Sequence, residues 1–280
     1  MATIAITDED FRKFREFFYR KTGIQFENSK RYFVDKRLLD RIELTNSRSF
    51  RDYFYLVRFQ ESGEELQHLT NCMTVNETYF FREDYQFKCL VQSILPEVVK
   101  HKEKGSVIRI WSIPSSSGEE PYSIAMYLME YWPGIEQWDV ELISSDIDTS
   151  ILNKAKIGKY QLRSVQNLPK ELLSKYFTKC IDGQYQICED IRQSVEFTRV
   201  NLNDANETRS YRDIDIIFCR NLLIYFDDIS RKRAAEAFYD SLTKNGFICL
   251  GHSESMSRIS SLFKVRKFPH AIIYQKSEER

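Results

Sequence analysis

Val107-Ile-Arg-Ile-Trp-Ser112, continued by Ile113-Pro-Ser-Ser-Ser-Gly-Glu-Glu-Pro-Tyr-Ser123 and Ile124-Ala-Met-Tyr-Leu-Met-Glu130, decides how this chain reads. A β-branched apolar run turns through small residues into a helical pattern. A strand that passes sharply into a helix forms the mouth of a nucleotide-type pocket, because small residues let a ligand approach the backbone. This turn also carries two carboxylates, Glu119 and Glu120. They would repel a phosphate, so the pattern predicts a cationic ligand. Gly118 alone is a weak dinucleotide fingerprint; the acidic pair changes the reading.

Downstream, strand and helix patterns alternate. Ser106–Ile113 is the first expected strand and 118–132 its helix; 140–145 and 149–156 form the next pair, stopped at Gly158. Strands are expected at 195–202, 214–219 and 247–251, with a long helix over 228–244 ended by Asn245-Gly246, and a closing hairpin at 263–267 and 271–276. Such alternation predicts an α/β doubly wound sheet with helices on both faces. Between 159 and 194 the alternation is interrupted by a short helix (169–177) and a hairpin turning at Asp182-Gly183, a strong two-residue turn signal. That turn would set Cys180 opposite Tyr185 rather than Cys188. The segment reads as a small β-subdomain projecting from the main sheet.

Upstream of about residue 75 only helical patterns occur. Thr7-Asp-Glu-Asp10 is a capping sequence ahead of Phe11, Phe14, Phe17 and Phe18, which share one helical face. Val34, Leu38 and Ile42 recur every fourth residue in a second helix (29–44), and further helices are expected at 49–60 and 64–74. Residues 1–75 therefore read as a small helical domain.

Composition excludes several classes. Lys plus Arg number 41 and Asp plus Glu 41, so no global field draws the chain to nucleic acid or membrane, and any basic surface is local. The first residues show no basic segment followed by an apolar run, and no apolar stretch reaches the ~20 residues that span a bilayer. The six cysteines include no Cys-x-x-Cys pair, which argues against zinc and a disulfide framework and predicts reduced thiols in a cytoplasmic protein. Nothing in the pattern calls for a metal, and a monomer is the default.

Candidate site residues fall at the expected strand ends, where open α/β sheets bind ligands. Asp146 stands where a carboxylate accepts hydrogen bonds from ribose hydroxyls, although aspartate at that place also caps helices; Asp148 suits the capping role better. Arg220 and Asn221 directly follow a buried strand, which is unusual unless they line a site. Asn201-Leu202 invites a similar reading, with adenine-side contacts. S-adenosylmethionine, with its sulfonium and amino groups, fits a cationic ligand in such a pocket. Asn76, Thr78 and Arg82 offer polar groups at near-helical spacing ahead of the sheet, a pattern that by itself means domain packing with a solvated arginine.

Together, Asn76-x-Thr-x-Phe-Phe-Arg82, Ser116-Ser-Gly-Glu-Glu-Pro-Tyr-Ser123, Ser145-Asp-Ile-Asp148, Phe218-Cys-Arg-Asn-x-x-Ile-Tyr-Phe226 and Gly251-His-Ser-Glu254 closely resemble the bacterial chemotaxis receptor glutamate methyltransferases, the CheR type. The resemblance covers nearly the whole chain. It implies a Rossmann-like S-adenosylmethionine-dependent methyltransferase domain (76–280) with an inserted small antiparallel β-subdomain (about 159–194), preceded by a small all-α N-terminal receptor-recognition domain (1–75). It implies methyl transfer to glutamate side chains on the cytoplasmic helical bundle of chemoreceptors. Cofactor contacts would come from Asn76, Thr78, Arg82, Glu120, Asp146, Asn201, Leu202, Arg220 and Asn221, with Arg82 and Tyr225 near the transferring methyl group and Glu119, beside Glu120, open to the same role.

Receptor binding is expected on the second helix, where Lys30, Arg37 and Arg41 fall close to one face with Arg31 and Lys36 beside it, unless this is an ordinary solvated face. In some relatives the β-subdomain docks a receptor C-terminal peptide through a longer, glycine-containing loop. The short turn here argues for a form without that tether. Pro114-Ser-Ser-Ser also departs from the family's usual small-residue run. A methyltransferase of another acceptor, a non-catalytic adaptor on the same fold, and last a nucleotide-using oxidoreductase are the competing readings.

Overall fold

The computed structural model describes residues 4–277; the expected chain limits at Met1 and Arg280 lie outside them. The first helix, α1 (Asp8–Thr22), starts where Thr7 and Asp10 cap each other: the Thr7 hydroxyl accepts from the Asp10 N–H at 3.1 Å, and the Asp10 carboxylate accepts from the Thr7 N–H at 3.1 Å. It stops at Gly23, whose φ of 75° lets the chain turn off the helix. Phe11, Phe14, Phe17 and Phe18 are all buried, against Val34, Leu38 and Ile42 of α2 (Arg31–Leu44). Ser49 caps α3 (Phe50–Phe59), and α4 (Glu64–Met73) completes the helical layer.

Two further helices, α5 (Asp84–Cys89) and α6 (Leu95–Lys100), are joined by a π-helical turn and lead into the sheet. Its strands and flanking helices are β1 (Ile108–Ser112), α7 (Glu119–Tyr131), β2 (Val140–Asp146) and α8 (Thr149–Ile157). After the insertion, whose strands are β3 (Lys159–Tyr160), β4 (Phe177–Lys179) and β5 (Tyr185–Ile187), come β6 (Val195–Arg199) and β7 (Ile214–Cys219). A helix over Asp228–Ser241 then leads to β8 (Leu242–Leu250), β9 (Phe263–Lys267) and β10 (Ile272–Lys276). The main sheet runs β6-β2-β1-β7-β8-β10-β9, with β6 to β8 parallel and the last two strands antiparallel; the insertion forms its own three-stranded antiparallel sheet, β3-β5-β4. Strand order reverses between β1 and β7, and the crevice beyond their carboxyl ends is where such sheets bind ligands.

Two local expectations change. The hairpin pairs Lys179 with Tyr185, one residue from the expected register, so Cys180 faces Gln184. The loop holds three residues, Ile181-Asp182-Gly183, and Gly183 at φ 80° supplies the left-handed position such loops need. Neither register brings Cys180 to Cys188, and all six cysteines are free. The long helix ends at Ser241 rather than Lys244, because Leu242 already pairs with Ile214 of β7 and Asn245, at φ 65°, lies inside the strand as an irregularity. Tertiary pairing overrides the local stop signal there. No described helix is long and apolar enough to cross a membrane.

Candidate active site

Three strand ends, the non-helical connector after α4 and part of the helical layer enclose a cavity of about 430 Å³. Pro114–Ser116 after β1, Asp146 at the end of β2 and Arg220–Leu222 after β7 form its floor. Residues 73–79 and Arg82 form one side, and Ile24–Phe26, Lys30 and Phe33 of the helical layer close another. Gly118 makes the first turn possible: its φ is 93°, and an added Cβ would lie 3.0 Å from Ala155 and Tyr122 and 3.1 Å from the Tyr160 hydroxyl.

The floor is acidic and organised around one buried arginine. Arg220, with a side chain only 2% exposed, donates to Glu120 at 2.9 Å and to the Arg82 carbonyl at 2.6 Å, and lies 3.3 Å from Glu83. Burial works against its charge, and the two carboxylates outweigh burial. Glu120 also accepts from the Ser112 hydroxyl at 2.9 Å; burial nevertheless pushes its carboxyl upward, against Arg220 and Ser112. Asp146 accepts the N–H of Ser116 at 2.8 Å and of Asp148 at 3.0 Å, and burial raises it to about 6. Arg220 is thus shared between two carboxylates, Glu83 and Glu120, while Asp146 is a further acid on the floor with only backbone N–H partners, so the floor itself carries more acid than base.

The carboxyl end of β7 is fixed from outside the cavity. Asn221 adopts φ 58°, and Glu254 accepts its N–H at 2.7 Å together with those of Leu223 at 2.8 Å and Gly251 at 2.9 Å. Gly251 has no room for a side chain, since a Cβ would sit 2.8 Å from the Glu254 carboxylate and 3.0 Å from the Asn221 nitrogen.

The more exposed wall carries donors. Arg82 is half-buried and donates to the Glu77 carbonyl at 2.9 Å, with its guanidinium 5.9 Å from the Tyr79 ring. Tyr225 is 39% exposed, and burial followed by the Glu77 charge raises its hydroxyl, with Arg82 opposing, so it stays protonated near neutral pH. Asn76 lines the wall while its amide donates to Thr74 and Asp148, both at 3.1 Å. Asp148 itself caps α8, accepting the N–H groups of Ser150 and Ile151.

Of the residues singled out in the sequence, Asn76, Thr78, Arg82, Glu120, Asp146, Arg220, Asn221 and Tyr225 line this one cavity. Four do not. Asn201 and Leu202 lie outside the wall: the Asn201 amide donates instead to the Lys21 carbonyl at 2.7 Å, tying the end of α1 to the sheet. Arg41 makes a forked pair with Glu65, which also accepts from Tyr53, so it braces α2 against α4 and α3. Arg37 donates to the Cys72 carbonyl at 2.6 Å and lies 3.5 Å over the Phe33 ring. Two arginines of the expected basic face of α2 are thus tied to the helical layer, while Lys30 and Lys36 remain exposed. Glu119, the companion of Glu120, points away and is held by the hydroxyls of Ser117 and Ser164.

Sequence reasoning missed the connector after α1. Ile24 forms a bridge with Phe226, the Gln25 N–H reaches the Tyr225 carbonyl at 3.4 Å, and the Tyr19 hydroxyl donates to Asp227 at 2.8 Å. These contacts join segments some two hundred positions apart, and no local pattern announces them. Glu254 was visible only as part of a motif.

The cavity suits a large, partly apolar, cationic ligand. Its volume lies within the ordinary ~300–1,000 Å³ of cofactor sites. Phe87, Met73, Ile147 and Leu222 give apolar surface, the floor is anionic, and the hydroxyls of Ser115 and Ser116 and the Nε of Arg220 are buried without partners. Buried polar atoms without partners call for a ligand or water. A Rossmann-like sheet with such a site at its switch point defines an S-adenosylmethionine-dependent methyltransferase.

Comparison with known proteins carries this further. Residues 76–272 match the family described as CheR methyltransferase, SAM binding domain, and residues 9–74 match CheR methyltransferase, all-alpha domain. The chain belongs to the CheR methyltransferase family. It is 60% identical to chemotaxis protein methyltransferase 2 of Vibrio cholerae over 276 residues, 99% of this chain and 96% of the relative. Chemotaxis protein methyltransferase 2 of Pseudomonas aeruginosa is 37% identical, covering 92% and 90% of the two chains. The chemotaxis protein methyltransferase of Borreliella burgdorferi is 34% identical, covering 90% of each.

Proposed function

We propose that the chain methylates glutamate side chains on the cytoplasmic helical bundle of chemoreceptors, forming γ-glutamyl methyl esters in chemotaxis adaptation. The observation that carries this reading is the division of the cavity: carboxylates on the floor, and Arg82 with the protonated Tyr225 on the exposed wall. The floor suits a cationic donor and the wall suits an anionic acceptor. Bound there, S-adenosylmethionine supplies a methyl group on a positively charged sulfur that leaves as a neutral thioether. Asp146 would take the ribose hydroxyls, and Glu120, Asn76, Thr78 and the Arg220-Asn221 turn would hold the remainder.

The acceptor needs no general base. A glutamate carboxylate, with an ordinary pKa of about 4.3, is already ionised at neutral pH, so no protein group has to remove a proton. Arg82 holds the incoming carboxylate by charge, and Tyr225 donates to one of its oxygens. Between them they exclude water and align the nucleophile, a contribution that reaches ~7–11 kcal/mol in well-oriented systems. In this reading residues 1–75 serve receptor recognition and residues 76–280 catalysis, the protein works as a cytoplasmic monomer, and the short 181–183 loop dispenses with a peptide tether.

The test is transfer of labelled methyl from S-adenosylmethionine to a purified chemoreceptor cytoplasmic fragment. Label released by mild base identifies the ester. Base-stable label, or label only on small molecules, would assign another acceptor.

A further inference from the structure

The helix α3 carries a face that its own core does not explain. Phe50, Tyr53 and Val57 point inward and are buried. On the opposite face, Arg51, Tyr55, Arg58 and Phe59 recur at helical spacing and are all exposed, Tyr55 at 67% and Phe59 at 57%. The Tyr55 and Phe59 rings meet at 4.7 Å, and the Arg58 guanidinium lies 5.1 Å from the Phe59 ring. Arg48, 89% exposed, continues the basic character before the helix, with Asp52 beside it at 3.2 Å. Arg51 and Arg58 have no carboxylate partner among the described residues. Single exposed aromatics are ordinary on protein surfaces, but two in contact, interleaved with arginines, are not.

We propose that this α3 face is the docking surface for the acceptor protein, and that its occupant is a glutamate-rich helical surface remote from the methylated side chain. The inference rests on the acceptor assigned under Proposed function. Three observations direct it. A cavity of about 430 Å³ that holds the methyl donor admits only the reacting side chain of the acceptor, so affinity for a whole protein must come from elsewhere; stable recognition buries ~800 Å² per partner. Of the α2 cations expected to provide it, Arg41 is paired with Glu65 and Arg37 is held by the Cys72 carbonyl and the Phe33 ring, which leaves the single exposed charges of Lys30 and Lys36. On α3 the cations are arginines, whose planar forks pair with carboxylates in two-point contacts, and Tyr, Phe and Arg are the side chains that anchor interfaces.

The experiment compares wild type with Arg51→Glu/Arg58→Glu and with Tyr55→Ala/Phe59→Ala, using a purified receptor cytoplasmic fragment. Thermal melts and binding of S-adenosylhomocysteine should be unchanged, since all four side chains lie outside the core and the cavity. The KM for the fragment should rise at least tenfold in each variant with kcat nearly constant, and the charge-reversed protein should lose most of the salt dependence of KM. An unchanged KM in both variants overturns the proposal. So does binding of wild type, but not of the reversed variant, to vesicles containing anionic lipid while KM stays constant, which would make the face a lipid contact. If wild type itself leaves the fragment unlabelled, the acceptor assignment is what fails, and the docking claim falls with it.

Discussion

Replacing Glu254 by alanine should loosen the binding site without touching its ligand. The carboxylate lies outside the cavity wall and accepts three backbone N–H groups, from Gly251, Asn221 and Leu223, at 2.7–2.9 Å. Hydrogen bonds to a charged group contribute ~1.5–3 kcal/mol each, and water entering the gap recovers part of this, so the expected loss is about 3–5 kcal/mol. For a chain of this size ~2–4 °C is lost per kcal/mol, giving a fall in Tm on the order of 10 °C. The same bonds hold Asn221 at φ 58°, in the left-handed region that asparagine tolerates better than most L-residues. Asn221 and Leu222 line the cavity, so affinity for S-adenosylhomocysteine should drop at least tenfold by calorimetry. Glu254→Gln keeps one acceptor oxygen and turns an amide N–H towards a backbone donor; it should fall between wild type and alanine on both readouts. An alanine variant that melts within 2 °C of wild type and binds the ligand equally would refute the reasoning.

Other outcomes follow from the same geometry. If ligand hydroxyls donate to Asp146 they need its ionised form, so affinity should be full above its folded pKa of about 6 and weaken about tenfold by pH 5; a flat profile between pH 7.5 and 5 would remove Asp146 from the contact. Stability runs the other way: a carboxyl raised from 3.8 to about 6 favours the protonated folded state, so its contribution declines as pH rises across that window, by about 3 kcal/mol at most. Guanidine titrations of Asp146→Ala against wild type at pH 4 and 7 measure this term. Arg82→Ala should lower kcat/KM for the receptor fragment at least a hundredfold with little change in melting, and near-normal turnover would take Arg82 out of the mechanism. Deleting residues 1–75 should abolish S-adenosylhomocysteine binding, because Ile24–Phe26 and Phe33 complete the cavity; retained affinity would show that wall to be dispensable.

What the sequence makes legible here is local. The strand, turn and helix around Gly118 are readable because an apolar run, a left-handed position and a helical pattern follow one another within twenty residues. Asp146 and Asp148 are separable because a helix start needs an N-cap acceptor, and Asp148 supplies it. Arg37 and Arg41 are the opposite case. Their spacing on α2 is compatible with a solvated basic face, and nothing local shows that Glu65, twenty-four positions on, will take one of them. The same holds for Asn201, whose amide meets a carbonyl from the end of α1. The hairpin register was lost to a single residue, since Asp-Gly serves both two- and three-residue loops and only the pairing distinguishes them. Arginine and asparagine have enough donors to serve a ligand or the fold, and the choice between them is made by long-range contacts.

If the cavity at the ends of β1, β2 and β7 holds the methyl donor, a crystal of the full chain soaked with S-adenosylhomocysteine will show density for the ligand there, its ribose against Asp146 and its amino-acid end towards Glu120 and Arg220. Density at another place on the protein, with this cavity unfilled at saturating ligand, would contradict it.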